Sequence, residues 1–325
     1  MARTVRIFGF SVFALVALLG SAWAATAIWV QLAGPARGIG WALIAAALIA
    51  AGLARARSRR LGWAVLALAA AVTLGWYQTI TPREDRLWAT EVSRGVKAQV
   101  AGDIVTLSDI RDFNWITPDQ ATERWITRSY DLSKLASLDM ITSVWANPDI
   151  AHLLVSFGFE GGEQVVFSVE IRKEQGEAFN EIGGFFRQFE LVLIGATETD
   201  IVKLRTNLRQ EDVSLYPVDL TPEQRREMFM AYVALAQRLE AGPEFYNTIT
   251  ANCTTVVWRL AHVLKNDLPI DRRLILSGNL PEYLQSLGAL GGIGSMAERR
   301  AAAAISAKAR ALPPGADFSA GIRAP

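Results

Sequence analysis

The chemistry of this sequence centres on Cys253, the only cysteine in 325 residues. Asn252 is a favoured helix N-cap residue, and the apolar run behind it predicts a helix that begins at the cysteine. A thiol in the first helical turn faces unpaired amides and the positive end of the helix dipole, which favour the thiolate. An amide beside it could also stabilise an oxyanion. The alternative is a buried cysteine that acts only as a small apolar side chain.

The chain has two histidines, His152 and His262, that could serve as a base for this thiol. His262 lies nine positions after Cys253. At 3.6 residues per turn this is about half a turn out of phase and roughly 13 Å further along the helix, so His262 is excluded as the base. His152 remains, and a lone cysteine with a distant histidine is the outline of a Cys–His nucleophile pair.

A predicted β-hairpin positions His152. Two apolar runs, 151–159 and 164–172, flank a turn that contains two glycines. With a loop of two to four residues, position 152 pairs with about 170–172, so Glu170 is expected opposite or diagonal to His152.

Two interpretations of Glu170 remain open at this point. Its carboxylate could orient the imidazole and stabilise the imidazolium cation. Alternatively, it could form a cross-strand pair with Arg172 or Arg205 that holds the sheet together.

The charge distribution divides the chain into two regions. Residues 1–80 contain no Asp or Glu but seven arginines. The 33 basic residues of the chain less these seven leave 26 against all 32 acids, so the remainder has a net charge of −6. The net charge of +1 of the whole chain therefore hides a basic apolar region and an acidic polar one.

The first region predicts three transmembrane helices, at about 7–30, 39–54 and 61–77. A cleaved signal peptide ending near Ala24 is the alternative, but the apolar run continues past that residue and two more apolar segments follow it. The basic residues set the orientation, because positive charge is retained in the cytoplasm. Arg3, Arg6 and the basic 55–60 segment then lie inside, and three spans carry residue 82 onward to the periplasmic side of a cell inner membrane.

The rest of the chain divides by composition. Residues 81–110 are a polar linker or entry segment, 111–290 the domain that carries the chemistry, and 291–325 an Ala-rich helix with a Pro- and Gly-rich disordered tail. One cysteine and two separated histidines are too few for a zinc site, and no phosphate-binding Walker loop is present. We therefore expect no metal and no cofactor. The acidic balance of the outer region also argues against nucleic acid as a partner.

Several short motifs in this order resemble the Lnb N-terminal periplasmic domain family over about residues 110–290. They are Trp145, Ile150 to Phe159, Ser168 to Arg172, Leu204 to Asn207, Phe245 to Thr248, Asn252 to Thr255 and Leu276 to Leu284. That family is similar to circularly permuted papain-like folds of the NlpC/P60 and lecithin:retinol acyltransferase kind, in which the histidine strand precedes the cysteine helix. Its named member transfers an acyl chain within a bacterial lipoprotein, from the glyceryl ester to the N-terminal amine.

The resemblance implies an α+β fold, with transmembrane helices followed by a permuted papain-like domain that has an antiparallel sheet and a Cys-bearing helix. It implies that His152 and Cys253 are the catalytic pair, with Glu170 as a third member. Further residues are expected to act around this pair. Asn252 and Thr254 would position the oxyanion, and Arg205 and Tyr246 would bind substrate.

Three functions fit these residues. The first is a membrane-anchored thiol acyltransferase that acts on membrane lipids or lipoproteins, because the predicted spans place the domain beside lipid esters. The second is a cysteine amidase or peptidase acting on peptidoglycan or peptides, which needs the same pair of residues. The third is a non-catalytic envelope binding module, which predicts no reactive thiol. For Arg205, one turn from Arg209, a solvated helix charge is the alternative to a lipid-phosphate contact.

Overall fold

The computed structural model describes the backbone of residues 2–324, with the side chains of residue 4 and of residues 7–324. Pro325 and the side chains of Arg3 and Arg6, on which the predicted orientation partly depends, lie outside this description. The chain forms two units. One comprises residues up to 83 together with 180–189, and the other comprises 84–179 with 190 onward.

The first unit consists of long apolar helices, because its sequence is continuously rich in Ala, Leu and Val. They are α1 (Ala2–Gln31), α2 (Gly34–Arg57) and α3 (Arg59–Gln78). All three are long and apolar enough to cross a membrane, over Ile7–Gln31, Gly34–Arg57 and Arg59–Gln78. The short turn at Ser58 brings α2 and α3 together at Gly62, where an added Cβ would lie 2.7 Å from the Cβ of Arg55. A short helix, α4 (Glu181–Phe185), completes this unit.

The second unit is built on an eight-stranded sheet with the order β1-β2-β9-β8-β7-β6-β10, in which β5 also pairs with β2. All of these pairs are antiparallel except β2 with β9. The strands, including the separate β3–β4 ribbon, are β1 (Lys97–Ala101), β2 (Ile104–Arg111), β3 (Asn114–Thr117), β4 (Gln120–Thr122), β5 (Trp125–Asp131), β6 (Leu135–Val144), β7 (His152–Phe159), β8 (Gln164–Arg172), β9 (Glu190–Ala196) and β10 (Asp212–Pro217). The predicted α+β class is confirmed.

Helices cover both faces of this sheet. They are α5 (Glu198–Lys203), α6 (Pro222–Ala241), α7 (Cys253–Leu260), α8 (Leu280–Ser286), α9 (Met296–Ala303), α10 (Ser306–Ala311) and α11 (Phe318–Arg323). On one face, Phe229 and Tyr232 of α6 pack against Phe157 and Phe167 of the central strands. Leu154 and Val166 pack in a second apolar cluster. Because successive side chains of a strand point to opposite faces, both faces of β7 and β8 are buried.

Two segments that composition predicts to lack regular structure, the 81–110 linker and the tail after residue 311, contain strands and a helix. The 81–110 segment is not a linker, because it contributes β1 and β2, and Val105 and Leu107 are fully buried in the core. The tail after residue 311 is not disordered, because α11 buries Phe318 and Ile322.

The predicted Ala-rich helix is also interrupted. Its two parts, α9 and α10, are separated at Ile305, whose amide donates to the Val213 carbonyl at 3.0 Å. The side chain of Ile305 is buried, which explains why the chain leaves the helical path there.

Candidate active site

Cys253 is the first residue of α7, and its position is fixed by the residue before it. The Asn252 side chain accepts hydrogen bonds from the amides of Thr254 at 2.9 Å and Thr255 at 2.8 Å. The Thr255 hydroxyl in turn accepts from the Asn252 amide at 3.0 Å, which completes a reciprocal cap. The cap holds the thiol at the positive end of the helix dipole, where a thiolate is stabilised.

The hairpin of β7 and β8 brings His152 and Glu170 to one face of the sheet. Leu154 pairs with Ser168, and the same antiparallel register places position 152 level with position 170. Their side chains meet, because His152 Nε2 lies 3.0 Å from Glu170 Oε1. The structure therefore places the carboxylate where the hairpin register predicts it.

Ser168 joins this contact as a third polar group, and sequence reasoning missed it. Its hydroxyl lies 2.8 Å from His152 Nε2 and donates to Glu170 Oε1 at 2.7 Å. The signal was available in the strand alternation, since Ser168 is two residues from Glu170 and shares its face. With Nε2 occupied by these groups, Nδ1 is the ring nitrogen left for the cysteine.

The site favours an ion pair of thiolate and imidazolium. Burial disfavours charge on His152, but the Glu170 carboxylate outweighs it and raises the pKa of His152 to about 9. Burial likewise opposes the Cys253 thiolate. The His152 hydrogen bond and charge, with smaller help from the Leu153 amide and the Thr254 hydroxyl, outweigh burial and lower the pKa of Cys253 below its ordinary value. The pKa of Glu170 is lowered as well, because His152 and Arg205 outweigh the effect of its burial.

Arg205 is part of this network rather than an exposed charge. It lies in a π-helical turn, Leu204–Leu208, and its side chain is only 8% exposed. Its Nη2 donates to Glu170 Oε1 at 3.2 Å, and its Nη1 lies 3.7 Å from Glu211 Oε2. The interpretation of Arg205 as a solvated helix charge is therefore wrong. Its predicted contact with substrate stays a prediction, and its partners favour a role in holding Glu170.

A second acid, Glu211, forms an ion pair with Arg205 and was not predicted from the sequence. It is buried and accepts a short hydrogen bond from the Ser143 hydroxyl. Charged side chains are rarely buried without partners, and Arg205 is paired with both Glu170 and Glu211. The two carboxylates leave a net negative charge, which the imidazolium of His152 can offset. No sequence spacing reveals this chain of ion pairs, because its members come from three separate elements.

The residues expected at the oxyanion have other contacts as well. The Asn252 carboxamide oxygen caps α7 and its Nδ2 donates to the Thr248 carbonyl at 2.7 Å. The Thr254 amide is taken by that cap, while its hydroxyl lies 3.9 Å from Cys253 Sγ. Among the amides of this turn, that of Cys253 itself is not used by the cap. The oxyanion and positioning roles of Asn252 and Thr254 therefore stay predictions.

Tyr246 and His262 are the two other residues singled out from the sequence. Tyr246 is half-buried, and its ring contacts that of Phe179 at a centroid distance of 6.3 Å. Its predicted contact with substrate stays a prediction. His262 instead hydrogen-bonds through Nδ1 to the Trp258 carbonyl at 2.9 Å. The structure therefore does not bring His262 into the cluster of Cys253 and His152.

A cavity of about 380 Å³ with mainly apolar walls lies against α7. Thr254 and Leu153, the neighbours of Cys253 and His152, form part of its wall. One face of α7 continues that wall through Val257, Trp258 and Ala261. The remaining apolar lining comes largely from β6, α6 and α8: Leu138, Met140, Met228, Leu280, Leu284 and Leu287. Its size lies within the roughly 300–1,000 Å³ of small-molecule sites.

Within the described part of the chain, no group of three or more His, Cys, Asp or Glu side chains is arranged to hold a metal ion. The chemistry that the site can perform with its own groups is nucleophilic attack by a thiolate with proton transfer through an imidazole.

Fold and site together define a mixed α+β domain with a cysteine at a helix start beside a half-buried His–Glu pair, in a chain that also carries three apolar helices. Residues 121–278 match the family model of the Lnb N-terminal periplasmic domain. The resemblance expected from the sequence is therefore confirmed over these residues. Comparisons with the curated proteins and with the solved structures gave no match. The periplasmic domain family and the three helices indicate a membrane-anchored protein with a periplasmic domain.

Proposed function

We propose that this protein is a thiol-dependent acyltransferase that acts on lipidated substrates such as lipoproteins or membrane lipids. The observation that carries the proposal is the network in which Cys253, His152 and Glu170 meet at a helix start. An apolar cavity adjoins this network through Thr254 and Leu153, the sequence neighbours of Cys253 and His152, although neither Cys253 nor His152 is itself a lining residue. A long acyl chain suits such a cavity, because burial of apolar surface favours binding. A peptidoglycan stem, which is polar, does not.

The first half of the reaction forms a thioester. The Cys253 thiolate attacks the ester carbonyl carbon, and the Cys253 amide at the helix start donates a hydrogen bond to the developing oxyanion. The carbon–oxygen bond to the alcohol then breaks, and imidazolium at His152 gives its Nδ1 proton to the leaving alkoxide. Glu170 holds the ring through Nε2 and stabilises its charge, with Ser168 bridging the two.

The second half releases the acyl group. An amine attacks the thioester carbonyl, neutral His152 takes the amine proton, and the carbon–sulfur bond breaks to restore the thiolate. Water in place of the amine would make the enzyme a hydrolase. Protons and charges balance over the two halves, since His152 gives one proton and takes one back.

The order of elements supports a permuted papain-like architecture for this domain. The histidine strand, β7, precedes the cysteine helix, α7, in the chain, and the sheet between them is antiparallel. The side chains meet although about a hundred residues separate them, which is the arrangement that the permuted order requires.

We further propose an inner-membrane protein with three spans and its C-terminal domain in the periplasm. The acid-free first 80 residues and the basic 55–60 segment support this orientation. A reporter that works only in the periplasm should be active when fused after Phe318 and silent when fused at Ser58. The reverse pattern would contradict the three-span orientation.

The acylation state of lipoprotein N-termini in cells tests the function. Cells that carry Cys253→Ser in place of the native protein should show lipoproteins that lack the transferred acyl group, whereas His262→Ala cells should match the wild type. If the lipoproteins stay unchanged while peptidoglycan stem peptides shift, the protein is an amidase. If neither pool responds, the domain is a binding module and its thiol only packs.

A further inference from the structure

One segment of the chain packs with the apolar helices although it comes from the middle of the sequence. Residues 180–189, which connect β8 to β9, belong to the same unit as α1 to α3. Gln31, the last residue of α1, donates through Nε2 to the carbonyls of Phe186 and, at 3.0 Å, Arg187. The Phe186 ring also lies 5.8 Å from that of Trp23 in α1.

The same segment is bound to the end of α3. Arg187 Nη1 donates to the carbonyls of Tyr77 at 3.0 Å and Ile80 at 3.1 Å. Its guanidinium carbon lies 4.6 Å from the centre of the Tyr77 ring, within range of a cation–π contact. These contacts fix residues 180–189 at the ends of two candidate spans, α1 and α3.

Three side chains of the segment are exposed: Glu181 and the two large apolar residues Ile182 and Phe185. In α4, Ile182 is 47% exposed and Phe185 is 43% exposed. The nearby ends of the spans also expose large apolar side chains, Trp29 at 43% and Leu74 at 49%. The apolar surface of α4 is therefore continued by the apolar surfaces of the two helices to which the segment is bound.

We infer that residues 180–189 form a membrane-contact element that lies in the interfacial layer of the lipid bilayer, with Ile182 and Phe185 directed into the acyl boundary. Short apolar segments at this depth bury their side chains among the upper acyl carbons, while their polar groups stay at the headgroups. An Arg–Tyr pair at the end of a span is a suitable anchor, since aromatic rings favour the membrane interface. The partner is the lipid surface itself, and the inference does not depend on the proposed catalysis.

The lone cysteine permits a site-specific test on the full-length protein. In a Cys253→Ser background, Ile182→Cys and Phe185→Cys are labelled separately with an environment-sensitive fluorophore and reconstituted into nanodiscs of phosphatidylcholine and phosphatidylglycerol. Lipids that carry a spin label near the headgroup or deep in the acyl chain then serve as quenchers, with aqueous iodide as the opposing quencher. Leu68→Cys, at an exposed apolar position in the middle of α3, gives the deep reference.

Labels at 182 and 185 should emit at shorter wavelength than the same labelled proteins unfolded in urea. They should be quenched at least about twofold more by the shallow than by the deep spin label, and Leu68→Cys should show the opposite order. Strong quenching by iodide with no response to either lipid quencher, at either position, would overturn the inference. Because two positions are tested separately, failure of one variant to fold still leaves a decisive result from the other.

Discussion

Two clusters of arginine and carboxylate lie on successive turns of the chain. They differ in whether the carboxylate is bound only by structural partners or also contacts a residue of the candidate active site. In the first, Asp200 of α5 accepts from Arg111 through both oxygens, at 2.9 and 3.0 Å. It also accepts from the Phe113 amide at 2.8 Å and the Trp115 indole at 2.7 Å. In the second, Arg205 of the next turn joins Glu170 and Glu211.

The difference between the two clusters separates structural charge burial from a site. Asp200 is fully buried and has four donors, so its cluster is closed and joins β2, β3 and α5. The side chain of Glu170 is 20% exposed and contacts His152, which is also hydrogen-bonded to the Cys253 thiol. A buried ion pair alone therefore does not indicate a catalytic site. The functional signal is a nucleophile beside the pair, here Cys253, whose pKa is lowered by His152.

The largest effect should come from Cys253→Ser, which leaves both clusters intact. We expect acyl transfer in detergent to fall by at least about 10⁴-fold, because a hydroxyl is a far weaker nucleophile than this thiolate. The free energy of unfolding should change little, since the two side chains are nearly isosteric. A Cys253→Ser protein with more than a tenth of wild-type activity would contradict the assignment of the nucleophile.

The structural cluster should respond in the opposite way. Asp200→Asn leaves Arg111 buried without its counter-charge, so the free energy of unfolding should fall by about 3–5 kcal/mol in urea titrations. Asp267→Asn is the matched control. The Asp267 side chain is 81% exposed and lies 3.7 Å from Lys265, so its loss should cost less than about 1 kcal/mol. Equal costs at both positions would remove the distinction between the clusters.

Glu170→Gln should reduce acyl transfer by about 10²-fold, less than Cys253→Ser, because it removes orientation and charge stabilisation but not the base itself. It should also move the alkaline limit of activity. In the wild type, imidazolium at His152 is present below its pKa of about 9 and is lost as the pH rises through that value. Without the carboxylate this limit should fall toward neutral pH. A pH–rate profile that keeps its alkaline limit in Glu170→Gln would contradict the coupling.

A smaller change, without any substrate, concerns the reactivity of the thiol. The pKa of Cys253 is lowered by His152, so alkylation should begin well below the pH at which a free thiol, with a pKa of about 8.5, reacts. His152→Ala should move the alkylation profile to higher pH. His262→Ala should not, because that ring is bound to the Trp258 carbonyl. Equal shifts in the two variants would exclude His152 as the specific partner.

The parts of the site that follow local rules could be predicted from the sequence. Asn252 marks a helix start by its capping chemistry, and a short hairpin loop sets 152 level with 170. Features that depend on burial against distant parts of the chain could not be predicted from the sequence. Arg205 and Arg209, four residues apart, predict one shared helix face. The π-helical turn, in which the Arg209 amide donates to the Leu204 carbonyl, gives them different environments, with side chains 8% and 34% exposed.

The C-terminal tail shows the same limit. Its Pro- and Gly-rich composition predicts disorder, but Arg323 donates to both Asp139 and Glu198, which are buried acids on the sheet and on α5. The composition of a segment does not reveal a partner more than a hundred residues away. The tail therefore belongs to the folded unit, although it lies beyond residues 121–278 that match the family model.

Acyl transfer through Cys253 is tested most directly by the intact mass of the purified full-length protein after exposure to lipoprotein or phospholipid. We expect the mass to increase by one acyl group on Cys253, which neutral hydroxylamine should remove because the bond is a thioester. The increase should be absent in Cys253→Ser and strongly reduced in His152→Ala. An unmodified Cys253 with every lipid donor offered, in protein whose thiol still alkylates at low pH, would contradict acyl transfer through this cysteine.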